Sequence, residues 1–213
     1  MKTPGERAQD LERALLALDR AAAEQIINGA ASAGGALHGL ETTVMPALES
    51  IGKAWEKGTV ALSQVYMSGR ICEELVDLLL PIGSAGRKSQ PRMAIATLED
   101  HHALGKRMVY ATLRASGYEV SDYGKGISAT ELAGRAIENG IEVLLVSTLL
   151  LRAALRVRDL KSLLQAEDIT VIVGGAPYIF DARLYREVGA DAMCSSASEA
   201  PGLITRLTGT DHD

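Results

Sequence analysis

The chain has 213 residues, 47% of them hydrophobic and only 4% aromatic, with a formal net charge of -5. This length admits one large domain or two small ones, and the mild, dispersed acidity excludes non-specific binding to nucleic acid or an anionic membrane surface. The longest apolar run, near Ile141–Leu151, is interrupted or bounded by Glu142 and Arg152 and falls short of the roughly 20 residues a membrane span needs. The N-terminus carries no continuous signal-peptide core. Cys72 and Cys194 are far apart, without metal-ligand spacing, and read as buried free thiols. A cytoplasmic protein that binds neither nucleic acid nor membrane is expected.

Residues 10–80 read as helical. Asp10–Asn28 carries Leu11, Leu15, Leu18, Ala22 and Ile26 at spacings of three and four, an amphipathic stripe that Gly29 can end. A second helical region, Ala31–Lys57, contains Pro46, which must break or kink it because proline lacks the amide and clashes with the preceding turn. Around it Val44, Leu48, Ile51 and Trp55 line one face, and Gly58 ends the helix. A third helix begins near Ser63, a candidate N-cap, and reaches Leu80 before Pro81, with Val65, Ile71, Leu75 and Leu79 as core positions. These segments predict a helical bundle over residues 1–86. The Gly- and Ser-containing stretch Ile82–Gln90 reads as a linker with the boundary near Arg87, which leaves 87–213 for a second domain.

In that second part short apolar strands alternate with helices. Strands are predicted over Met93–Leu98, Glu119–Tyr123, Glu142–Ser147, Thr170–Gly174 and Asp191–Cys194. Helices are predicted over Gly105–Ser116, Ser128–Asn139, Leu155–Ala166, Ala182–Val188 and Ser198–Leu207. Ser128 and Glu131 have capping-box spacing. The alternation predicts a parallel sheet covered on both faces. Such sheets bind ligands at the loops beyond the carboxyl ends of their strands.

The first strand runs into Glu99-Asp100-His101-His102-Ala103-Leu104-Gly105-Lys106. Asp100 and His102 are two apart, so in an extended segment they point the same way. A carboxylate that accepts the Nδ1 proton leaves Nε2 outward and raises its basicity as a metal ligand; a surface loop histidine beside an acid is the other reading. Gly105 permits close approach of a bulky ligand or a tight helix entry. His101, between them, should point elsewhere. His38 has no partner at metal spacing, and His212 lies in a polar tail. A lone histidine is not a zinc site but suits a metal that brings its other ligands in a macrocycle. Ser147, at the exit of the third strand, is a loop cap or a ligand contact. Gly174 and Gly175 leave room after the fourth strand for a nucleotide or other flat group.

Taken together, residues 91–207 resemble the cobalamin-binding domain of methyltransferase corrinoid proteins and of methionine synthase. The family pattern Asp-x-His-x-x-Gly, then Ser-x-Leu, then Gly-Gly is matched by Asp100, His102 and Gly105, by Ser147 and Leu149, and by Gly174 and Gly175. Residues 45–58, Met-Pro-Ala-Leu-Glu-Ser-Ile-Gly-Lys-Ala-Trp-Glu-Lys-Gly, resemble the centre of the family's helical cap. The resemblance implies a helical bundle cap followed by a flavodoxin-like (Rossmann-like) α/β domain that binds cobalamin or a related corrinoid. His102 would be the lower axial ligand of cobalt in base-off cobalamin, and Asp100 would hold and tune the imidazole. The nucleotide tail would pass Ser147, Leu149, Gly174 and Gly175, and the cap would cover the methyl-bearing face.

The implied function is that of a corrinoid protein carrying a methyl group between a substrate-specific and an acceptor methyltransferase in trans, with room for a reductive activase. It would be a non-catalytic component of a methyltransferase system. The alternative is a cobalamin-dependent light or ligand sensor acting through cap movement. Two departures stand out. The hydroxyl residue that completes a relay with the acid and histidine in methionine synthase is replaced by Ala153, next to Arg152. Ala61-Leu62-Ser63 stands where relatives often carry a bulky aromatic and proline. Trp55, Tyr66 and Met67 are then candidates either for covering the methyl group or for packing inside the bundle.

Overall fold

The computed structural model describes residues 2–79 and 90–209. The expected linker, the boundary near Arg87 and His212 lie outside the described residues, apart from Gln90. The chain divides into two compact units, one of Met1–Lys88 with Arg107–Glu119 and the other of Ser89–Lys106 with Val120–Asp213.

In the first unit α1 (Pro4–Leu16) opens on a capping box, Thr3 Oγ1 accepting from Glu6 N at 3.3 Å and Glu6 Oε2 from Thr3 N at 2.7 Å. The single helix expected over Asp10–Asn28 is in fact two. The chain turns at Leu18, which is left-handed (φ 58°), and Asp19 restarts the helix by accepting from Ala22 N at 3.0 Å. The break shifts the buried phase. In α2 (Arg20–Gly34) Ala23, Ile27 and Ala30 are buried, rather than Ala22 and Ile26. Gly29 does not end this helix; Gly35, with φ 91°, does.

After α3 (Ala36–Gly39), one π-helical turn, Leu40–Val44, leads into α4 (Met45–Glu56). Pro46 therefore falls in the first turn of α4, directly after the widened turn, where its missing amide and bulky ring are tolerated. Val44, Leu48 and Ile51 are buried as expected, but Trp55, although it shares their helical stripe, is 47% exposed. In α5 (Leu62–Leu79) Val65, Ile71, Cys72 and Leu75 are buried. The helix α6 (Leu104–Ala115) begins in the second unit and belongs to the first from Arg107 onward. There Arg107 pairs with Glu73 at 2.7 Å and Arg114 with Asp77 at 3.3 Å, both on α5.

The second unit is a parallel five-stranded sheet of order β2-β1-β3-β4-β5, made of β1 (Met93–Leu98), β2 (Val120–Ile127), β3 (Val143–Ser147), β4 (Thr170–Gly174) and β5 (Ala192–Cys194). The inner strand β1 is buried throughout, including its one polar residue, Thr97, as a strand covered on both faces should be. One face packs Ala94, Ala96, Leu98, Leu144, Val146, Val171 and Val173 into a core. Leu132 and Ala136 of α7 (Ala129–Glu138) and Val157 and Leu160 of α9 (Val157–Leu163) join that core. Ser128 caps α7 by accepting from Glu131 N at 3.2 Å.

The edge strand β2 continues well past Tyr123. Gly124 and Gly126, both at positive φ, let it bulge and keep pairing with β1, a pattern that alternation of apolar residues does not announce. The helix expected over Leu155–Ala166 is two short ones, α8 (Leu151–Leu155) and α9, parted at Arg156. An unexpected helix α10 (Ala176–Phe180) follows β4. α11 (Leu184–Glu187) is shorter than its expected span, and α12 (Ala200–Thr208) closes the chain. Among the described residues no helix is long and apolar enough to cross a membrane.

The order of strands reverses at β1, with β2 on one side and β3 on the other. The carboxyl ends of β1 and β3 therefore flank the crevice where open α/β sheets take ligands. For the first unit we expect Asp19→Ala to lower stability by about 1 kcal/mol in urea denaturation and Asp19→Ser to leave it near wild type.

Candidate functional site

The loop after β1 turns at Glu99, left-handed at φ 45°, and delivers Asp100 into the crevice. The carboxylate is buried and fully engaged. Its Oδ1 accepts from His102 N at 3.0 Å and from the His102 ring Nδ1 at 2.6 Å. Its Oδ2 accepts from the amides of Leu149 at 2.8 Å and Leu150 at 3.1 Å, just beyond β3. Burial works to raise the Asp100 pKa, but the hydrogen bonds from His102 backbone and ring and from the two leucine amides outweigh it and hold the carboxyl well below the usual carboxylate range. The group stays ionised, so it accepts the Nδ1 proton and favours, of the two tautomers of an imidazole, the one with a lone pair on Nε2. The His102 side chain is 58% exposed, which leaves Nε2 accessible.

The remaining expected residues cluster around this pair. Gly105, in the first turn of α6, is exposed, and a Cβ there would stand 3.5 Å from Ser147 Oγ. Thr97, Ser147 and Gly174 are in register across β1, β3 and β4 and share one face. Thr97 Oγ1 is buried in that row without a hydrogen-bond partner among the described residues. Leu149 is exposed. A Cβ on Gly174 would press on the Cys194 carbonyl at 3.2 Å. Gly175 has φ 121°, and a Cβ there would overlap the Thr148 carbonyl, so this glycine lets two loop backbones cross.

His101 turns toward β2, its ring lying against Gly126, and His38 is exposed. Cys72 and Cys194 are buried free thiols, each pushed up to about 12 by burial. Trp55, Tyr66 and Met67 are exposed, so packing inside the bundle is not their role.

Three features escaped the sequence. Ala153 is buried and offers no hydroxyl, yet Asp100 lacks nothing, because the Leu149 and Leu150 amides take its second oxygen. Backbone donors carry no residue signature. Lys106 is buried and ion-paired with Asp122 of β2, which also accepts from Gly124 N at 2.7 Å, so the start of α6 is anchored to the edge strand. The Gly-Lys pair in the motif was the available signal. Arg156 reaches back to Glu99 at 3.2 Å, a contact across 57 residues that no local pattern encodes.

The profile of the B12 binding domain matches residues 93–204, and a second profile of the same description matches residues 7–80. The chain belongs to the B12-binding domain family. It is 27% identical over 180 residues to a corrinoid protein of Desulfitobacterium hafniense (strain Y51), covering 80% of this chain and 82% of the relative. It is 29% identical over 208 residues to dimethylamine corrinoid protein 3 of Methanosarcina acetivorans, covering 92% and 90%. The solved monomethylamine corrinoid protein of Methanosarcina barkeri superposes with a TM-score of 0.66 at 25% identity, over 96% of this chain and all of that one.

The residues present fit a B12-type group. One imidazole nitrogen is accessible on a ring whose other nitrogen is held. An unpartnered buried hydroxyl stands beside a serine and a glycine on the same face.

Two outcomes follow for this B12-binding domain without ligand. Gly175→Ala should cost several kcal/mol in urea unfolding, because the methyl group meets backbone that cannot yield. Asp100→Asn should cost about 1–3 kcal/mol at pH 7, since an amide cannot accept all four hydrogen bonds. A depressed pKa stabilises above the unfolded carboxylate value of about 4 and loses that contribution as pH falls toward the folded value. The gap between wild type and Asp100→Asn should therefore hold from pH 7 to about pH 5 and narrow only below about 4, in paired urea titrations.

Proposed function

We propose that this protein is a corrinoid protein that carries a methyl group between partner methyltransferases, with His102 as the lower axial ligand of base-off cobalamin. The observation that carries the reading is the Asp100–His102 pair, in which a buried carboxylate locks Nδ1 and leaves Nε2 presented at the carboxyl edge of the sheet. When bound, the corrinoid supplies cobalt as the atom that takes up and gives away the methyl group.

The chain's own part is positioning and tuning. Asp100 holds the proton on Nδ1 and, by its charge, raises the donor strength of Nε2. Leu149 and Leu150 amides keep that charge in place. Ser147, Leu149, Gly174 and Gly175, with Gly105 beside Ser147, are the residues we assign to the nucleotide tail. Relatives named for dimethylamine and monomethylamine support partners that are substrate methyltransferases acting in trans. In such a system the corrinoid protein is a component that need not turn over alone.

The visible spectrum of the chain reconstituted with cobalamin tests the reading. Wild type should show the histidine-on signature, and His102→Ala should bind the corrinoid but lose it. A spectrum unchanged by the substitution would count decisively against the ligand assignment. Incubation with methylcobalamin and with adenosylcobalamin, dark and lit, separates the carrier from a light sensor: a carrier gives up the methyl group when its acceptor methyltransferase is added, whereas a sensor changes shape on illumination.

A further inference from the structure

The bend that delivers Asp100 is made by a residue poorly suited to it. Glu99 sits at φ 45°, a region that side chains with a Cβ rarely adopt and glycine enters freely. Its backbone is tied to β2, because Glu99 N donates to Ile127 O at 2.9 Å and Asp100 O accepts from Gly126 N at 2.8 Å. What glutamate adds is a carboxylate. Oε1 accepts from Arg156 Nε at 3.2 Å. Arg156 is the single residue between α8 and α9, and another arm of its guanidinium pairs with Asp159 in the first turn of α9. The segment leaving β3 is thus gripped twice by adjacent residues of the β1 loop. Asp100 holds its start through the Leu149 and Leu150 amides, and Glu99 holds its end through Arg156.

We infer that Glu99 and Arg156 form a positioning latch, which fixes the segment after β3 relative to the loop after β1 and thereby sets the orientation of the Asp100–His102 pair. Neither residue touches His102, so both act through Asp100. With the outer grip removed, residues 149–152 can shift about the Asp100 hydrogen bonds while Ala153 and Ala154 stay packed, and the carboxylate no longer holds the ring in one direction. The consequence for cobalt ligation rests on the reading of His102 proposed above.

The pair is half-exposed, so its removal leaves the fold intact and its effect is modest and sensitive to salt. The test is the ratio of histidine-on to histidine-off spectrum in cobalamin-loaded protein, read for every variant in one buffer at the same pH. Arg156→Ala and Glu99→Gln should each lower the ratio by roughly two- to fivefold, the range set by exposed ion pairs, and Arg156→Lys should recover most of it. Glu99→Gly should lower the ratio equally while its melting temperature holds or rises, because the backbone is relieved as the latch is lost; a purely structural role would move the two together. Raising sodium chloride to 1 M should bring wild type toward Arg156→Ala and leave Arg156→Ala unmoved. A wild type with the signature and an Arg156→Ala variant that matches it at every salt concentration overturns the latch alone. A wild type without the signature overturns the ligand reading itself and, with it, the purpose assigned to the latch.

Discussion

One buried carboxylate organises the second unit at its ligand edge. Asp100 brings an ion into a crevice where solvation is lost, a step that is unfavourable unless every lone pair is met. Four donors meet it: two from the following turn and two from the loop beyond the neighbouring strand. Hydrogen bonds to a charged group are worth more than neutral ones, about 1.5–3 kcal/mol each when lost singly. The same bonds that keep Asp100 ionised therefore pin the β1 and β3 loops together and orient an imidazole. The switch in strand order is what makes this possible, since only there do loops from adjacent strands diverge to leave a crevice while their first residues stay within reach.

The parts of this arrangement legible in the sequence are those carried by side-chain identity at short range. Asp100 and His102 stand out because they are two positions apart, with one residue between them, and their chemistries are complementary. Gly174 and Gly175 stand out because paired glycines after an apolar run are otherwise unfavourable. The strands β3 and β4 are readable as apolar runs, the mark of strands buried on both faces. What was not legible depends on geometry that forms only after folding. Leu149 and Leu150 contribute amides that any residue would supply. β2 runs on through glycines because a bulge satisfies its ladder, and the pairing of Glu99 with Arg156 joins residues far apart in the chain.

The helical part shows a different limit. A stripe of leucines at helical spacing passes straight across the break at Leu18, so periodicity alone counts one helix where capping chemistry makes two. The Asp19 cap outweighs propagation only because the chain also turns at Leu18, in a conformation its side chain disfavours. Pro46 gives the converse case. A residue expected to end a helix begins one, because the π-helical turn ahead of it takes up the misfit.

Because Asp100 joins the loops and orients the His102 ring through the same oxygens, any substitution there perturbs both, and on the proposed reading of His102 a lost activity would not say which came first. His102 differs. Its ring is more than half exposed and its one hydrogen bond is to a carboxylate that keeps three other donors. Removing the imidazole therefore leaves Asp100 solvated from the vacated side and the loops joined. On the proposed reading of His102, fold and ligand binding are separable at His102 and inseparable at Asp100, and this asymmetry follows from which of the two groups is buried.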